Sequence, residues 1–243
     1  MNQRIMTVDL EPDLRSTSCK SLEVIPKLLE LFDEFHIKST FFVVSSLLEK
    51  HESIIKDISK KHEIASHSHT HSWLNPVNAS WEMQKSKEEL QKYGHKVEGF
   101  RAPGFVITSD HFQLLKDHKY TYDASLARYF PGRCNNMLMP RKPFVKDRVR
   151  EFPMPTFIYP SLNAGLPYLK LFHPVSTIFP KPYMFYLHPW ELMEKKELTE
   201  PTTISKMLQR NTGEKAWRIL RNYLERCEEG EWVGCEGWKG GKF

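Results

Sequence analysis

Four times within the first 127 residues a short apolar run is followed by a helical pattern, and this alternation leaves few architectures open. The run "RIMTVDLE" precedes "SLEVIPKLLELFDEFHI", where Leu22, Ile25, Leu28, Leu29 and Phe32 recur at helical spacing. "KSTFFVVSS", β-branched and aromatic, precedes the helical "LLEKHESIIKDISKKH", whose last turns are rich in lysine. "EIASHS" leads, past Pro76, into "SWEMQKSKEELQKYG", stopped by Gly94. "GFRAPGF" precedes "SDHFQLLKDH", capped by Ser109, and a further strand, "YTYDASL", follows. Such repetition sets consecutive strands parallel, with helices covering them on the outside, so the expected class is α/β.

Residues 129–182 break the pattern. Prolines in "FPGRCNNMLMPRKP", "EFPMPTFIYP" and "FPKP" exclude long helices, so loops around one or two strands are expected, with "REFPMPTF" the best candidate. "YMFYLHPWE" reads as a last apolar strand ending on His188, and "TTISKMLQRNTGEKAWRILRNYLERCEEGEW" as an amphipathic helix pair. No repeat, low-complexity tract or linker divides the chain, and 243 residues with 40% hydrophobic content suffice for one catalytic domain over 1–243.

The same composition narrows the partners. A net charge of +5 is scattered in short clusters such as "RKPFVKDRVR", without the basic stripe and stacking aromatics of a nucleic-acid surface. Cys19, Cys134, Cys227 and Cys235 form no CxxC pair and no disulfide framework. "MNQRIMTVDLEPD" has no apolar core of a secretory leader, and no apolar window is long enough to span a membrane. A cytoplasmic location is therefore expected; oligomeric state is not legible.

Polar residues where the expected strands run out are few: Asp9, Glu11 and Asp13 after the first, His67, His69 and His71 after the third, Arg101 after the fourth, Asp123 in the fifth and His188 after the last. The carboxyl ends of parallel strands share one face and line one pocket, so charged groups there point to function. Lone histidines such as His36, His51 and His62 read as surface residues. Three histidines in "SHSHTH" after an apolar strand point instead to a metal, and any of them could be a ligand.

"TVDLE", "ASHSHTH", "FRAPGF" and "YLHPWE", in that order, resemble the sequential motifs of the polysaccharide deacetylase family, the NodB-type carbohydrate esterases. The likeness spans roughly residues 4–192 and is to the branch whose first motif reads Asp-x-Glu in place of Asp-Asp-Gly. It implies an irregular (β/α) barrel of about seven parallel strands and one divalent metal ion, zinc foremost. By the same resemblance His67 and His71, at His-x-x-x-His spacing, are the metal histidines. Leu10 stands where the commoner pattern has the carboxylate ligand, so Glu11 is the expected substitute and Asp13 the fallback. Asp9 matches the general base and Arg101 the arginine paired with it. Gly104 is expected to donate a backbone N–H to the oxyanion, and His188 to protonate the departing amine. Asp123 is a candidate partner for His188, although the tryptophan of the family's fourth motif is missing. Leu187 and Trp190 are expected to wall the acyl and sugar pocket.

The activity implied is removal of the N-acetyl group from an amino sugar in a polysaccharide, oligosaccharide or carrier-linked glycan. Deformylation of a lipid-carried amino sugar, or opening of a cyclic amide, belongs to the same superfamily. An inactive carbohydrate-binding domain is a third reading, opposed by the presence of a candidate base, acid and both metal histidines. A His67-x-His69 metal pair of the amidohydrolase kind would need further ligands after later strands, which the sequence does not offer.

Overall fold

The computed structural model describes residues 3–130, 133–194 and 201–240. Its main sheet is built from β1 (Gln3–Leu10), β2 (Ser39–Val43), β3 (Glu63–Ser66), β4 (Gly99–Phe100), β5 (Tyr122–Asp123), β6 (Phe144–Lys146), β7 (Val149–Glu151), β8 (Met184–Leu187) and β9 (Glu231–Val233). The spatial order is β8-β1-β2-β3-β4-β5-β7-β6, with β9 on the first half of β1. Each pair from β8 through to β7 is parallel, which makes the expected run of seven strands. Only β6 turns back, as a hairpin partner of β7. Among the described residues no ladder joins β6 to β8, so the curved wall is open on that side.

Side chains alternate across this wall, and the alternation decides what meets what. Met6, Val8 and Leu10 of β1, Phe41 and Val43 of β2, and Phe185 and Leu187 of β8 face outward into one apolar cluster with the helices. Ile5, Phe42, Ala65, Tyr122, Met184 and Tyr186 face inward into a second cluster. The helices are α1 (Ile25–Glu34), α2 (Leu48–Ser59), α3 (Ala79–Lys92), α4 (His111–Asp117), α5 (Leu166–Leu171), α6 (Thr203–Leu208) and α7 (Glu214–Arg226). In α7, Ala216, Trp217, Ile219, Leu220, Tyr223 and Leu224 form the buried stripe, and Tyr223 stacks on Phe185 with 4.5 Å between ring centres. Each such large side chain contributes about 1.5–3 kcal/mol by leaving water.

Two sequence expectations need correction here. Residues 129–182 hold six two- or three-residue strands and the short α5 rather than one or two strands in loops. Prolines limited helix length there, but Pro167 fits the first turn of α5, where its missing N–H costs nothing. His62 is buried, not superficial: its ring packs edge-on against Phe32 and Phe41, and Nδ1 accepts the Ser39 backbone N–H at 3.3 Å and lies 3.0 Å from Ser39 Oγ.

Burial holds the His62 pKa down to about 4, with Asp33 opposing weakly. A histidine ionises less readily folded than unfolded here, so its contribution to stability is complete above about pH 6.5 and is lost as pH falls toward 4. Denaturant midpoints of the wild type are therefore expected to decline across that window more steeply than those of His62→Gln. Parallel slopes would remove His62 as the cause.

Candidate active site

The inward parity carries straight to the carboxyl ends of the strands. Asp9 follows Ile5 and Thr7 on the inner face of β1, His67 follows Ala65, and His188 follows Tyr186, so they converge at the top of the wall. They open on a cleft of about 1200 Å³ that also takes in Glu11, His71, Trp73, Gly104, Tyr186 and Trp190.

Glu11 Oε2 lies 2.6 Å from His71 Nε2 and 3.4 Å from His67 Nε2. One ligand atom from each of the three comes within 4.8 Å of the others. His67 Nδ1–H donates to the Arg101 carbonyl at 2.8 Å, which leaves the Nε2 lone pair facing Glu11. His71 Nε2 is buried without an aligned hydrogen bond, although a carboxylate oxygen is so near. Converging lone pairs on two imidazoles and a carboxylate suit a divalent cation, and the set matches a catalytic site with positions left for water and substrate.

The loop that presents His71 is held in an unusual path. Ser68 and His71 both have φ of 66°, which ends the strand alternation read from "SHSHTH". Buried Glu82, at the start of α3, accepts the backbone N–H groups of His69 and Thr70 at 2.7 and 2.9 Å. His69 is thereby turned away: its Nδ1 meets Ser45 Oγ at 2.8 Å and its ring packs on Trp81. Asp13 is likewise drawn off, accepting the Ser21 N–H at 3.0 Å, so Glu11 and not Asp13 joins the histidines.

Arg101 is fully buried behind Asp9. Its Nη1 donates to Asp9 Oδ1 at 2.6 Å and to Thr7 Oγ1 at 3.0 Å, its Nε donates to the Ala124 carbonyl, and the guanidinium lies 4.1 Å over the Phe42 ring. His188 stands on the other side, with Nε2 3.8 Å from both Asp9 Oδ2 and Glu11 Oε1. Its ring stacks on Trp190, whose indole N–H donates to Glu11 Oε1 at 3.1 Å.

Asp123 does not pair with His188. It sits on the outward parity of β5, against α4, where its Oδ2 meets His111 Nε2 at 2.9 Å. Its Oδ1 accepts Ser125 Oγ–H at 2.6 Å, and Ser125 in turn accepts the Ala102 N–H, which fixes the turn after Arg101. The carboxylate on His188 is Glu191, three residues on, at 2.8 Å from Nδ1 and 3.0 Å from the His188 backbone N–H. Burial alone would lower the His188 pKa, but Glu11, Glu191 and Asp9 outweigh it and raise it to about 9. The signal for Glu191 was in the sequence: an acid at i+3 of a histidine, on a turn opened by Pro189. Leu187 also moves, into the outer core opposite Val8, and Tyr186 takes the place on the cleft wall expected of it.

Residues 5–122 match the model of the polysaccharide deacetylase family. Over this segment, a little under half of the chain, the sequence resembles that family. A peptidoglycan deacetylase from Helicobacter pylori is 29% identical over 109 residues, 42% of this chain, and the match spans 36% of that relative's length. Among solved structures the fold resembles a putative polysaccharide deacetylase from Mycobacterium smegmatis, with a TM-score of 0.61 at 18% identity over 95% of this chain and 87% of that one. It also resembles a carbohydrate esterase family 4 pseudoenzyme from Bacillus anthracis, with a TM-score of 0.54 at 14% identity over 96% of this chain and 64% of that one. Proteins described as a deacetylase and as a pseudoenzyme thus share this fold. Among the described residues no helix is long and apolar enough to cross a membrane.

Proposed function

We propose that the chain is a metal-dependent hydrolase of the amide in an N-acylated amino sugar. One observation carries this reading: Glu11, His67 and His71 converge in the same cleft as the Asp9–Arg101 pair and His188. Zinc is the ion that best suits two imidazoles and one carboxylate. When bound there, it lowers the pKa of a water and polarises the amide carbonyl.

The chain's own groups supply the proton traffic. Asp9, oriented by Arg101, accepts a proton from the attacking water. His188, opposite it and held by Glu191, gives its proton to the nitrogen as the C–N bond breaks. The products are the free carboxylate and the amine. Trp190 fixes both His188, by stacking, and Glu11, by its N–H, so it orients acid and metal ligand together. Gly104, with a φ of 61° at the cleft wall, brings the backbone close to where the oxyanion forms.

An acetate- and formate-release assay over a panel of N-acylated sugars, with zinc supplied and with chelator, tests this directly. Acetate release that chelator abolishes and zinc restores is expected. Release indifferent to chelator, or none from any substrate by zinc-loaded protein, would overturn the reading.

A further inference from the structure

Beyond the metal centre, the cleft holds a cation that none of the machinery above uses. Arg133 lines the cleft with its guanidinium 4.8 Å over the Trp73 ring and 5.4 Å over the Phe130 ring. Phe130 itself stacks on Phe105, beside Gly104, at 6.1 Å and 15°. Aromatic faces orient a guanidinium but do not neutralise it. Among the described residues no carboxylate pairs with Arg133, and Asp9 and Glu11 in the same cleft are taken by Arg101 and by the histidines.

A second donor lies beside the same place. A side chain added at Gly104 would put its Cβ 2.8 Å from Trp73 Nε1 and 3.4 Å from Arg133 Nη1, on a backbone already at φ 61°. Nitrogens from two distant segments therefore lie beside one bare stretch of backbone, and among the described residues neither has an acceptor. A sugar hydroxyl could occupy one of them. An anionic group satisfies both donors and the charge.

We propose that Trp73 and Arg133 form an oxyanion-binding subsite, over Gly104, for a carboxylate or phosphate carried by the sugar substrate. It names the class of sugar for the amide hydrolysis proposed above and rests on that reading for the reaction, though not for binding of the anion. A hydrogen bond to a charged group adds more than about 1.4 kcal/mol, so preference for an acidic sugar should reach at least about tenfold.

Titration calorimetry on the zinc-loaded protein compares N-acetylglucosamine with N-acetylmuramic acid, which carries a carboxylate, and with N-acetylglucosamine 1-phosphate. One or both acidic sugars should bind at least about tenfold more tightly, and which one does so identifies the anion. Arg133→Ala should bring the ratio to within about twofold, Arg133→Lys should keep part of it, and Trp73→Phe, which keeps the ring and removes the N–H, should cost several-fold. The same ranking in chelated protein separates this subsite from any anion held by the metal. Equal binding of acidic and neutral sugars, or a preference that survives Arg133→Ala, overturns the proposal. Arg133-dependent binding without acetate release from any of the three would sustain the subsite and count against hydrolysis of these sugars.

Discussion

His71→Ala is expected to lose bound metal and amide hydrolysis together, while His69→Ala keeps both. Both residues come from one five-residue segment, but only His71 brings its Nε2 to Glu11, at 2.6 Å. Removing it leaves Glu11 and His67 as two ligands, and a two-ligand site cannot hold a divalent ion against water with the affinity of three. The loss should exceed the roughly 10–100-fold that follows from deleting an outer hydrogen bond to a ligand. His69 meets Ser45 and Trp81, so its replacement should cost about 1 kcal/mol of stability and no metal. Metal analysis of the two purified variants decides the matter. Equal loss from both would mean that the outer histidines are not the pair.

Arg101→Ala should have the largest effect on the fold as well as on turnover. The guanidinium is completely buried and serves Asp9, Thr7 and the Ala124 carbonyl at once. Its removal strands the Asp9 carboxylate in the wall without a cation, which costs about 3–5 kcal/mol for a buried pair broken from one side. Arg101→Lys keeps the charge but not the fork that reaches three acceptors, so part of the loss should remain. Asp9→Asn separates the two consequences. It should retain zinc, because Asp9 is not among the converging ligands, yet lose about 10²–10⁴-fold in turnover through the missing base. Denaturation midpoint, metal content and kcat measured side by side would tell these apart. An Asp9→Asn protein that turns over normally would exclude Asp9 as the base.

What the sequence disclosed follows from length and parity. The strand–helix alternation up to β5 was legible because each strand is buried on both faces and each helix is long enough to show its apolar stripe. That Glu11, His67, His71, Arg101 and His188 meet at one end of the sheet was legible because order and spacing of motifs survive without knowledge of which way a side chain points. Asp123 and Leu187 were misplaced for want of that knowledge. A two-residue strand such as β5 gives no pattern from which its inner face can be chosen, and in "FYLHP" either phase looks apolar. The short strands of residues 129–163 and the three-residue β9 lie below any period that can be counted. Trp73 and Arg133 escaped because nothing in their local sequence hints that they meet over Gly104.

The position of β1 has a consequence for the order in which the molecule can assemble. Met6–Leu10 pair with β2 close by in sequence, but Gln3–Ile5 find their ladder only in Glu231–Val233, and the opposite edge only in Met184–Leu187. During synthesis the strand that bears Asp9 must wait, with part of its backbone unpaired, until Glu231–Val233 have been made. A growing chain with such an open edge invites pairing with its neighbours, and closure by strands so distant in sequence is slow. Asp9 thus sits on a strand whose ladder is completed only by segments made long after it.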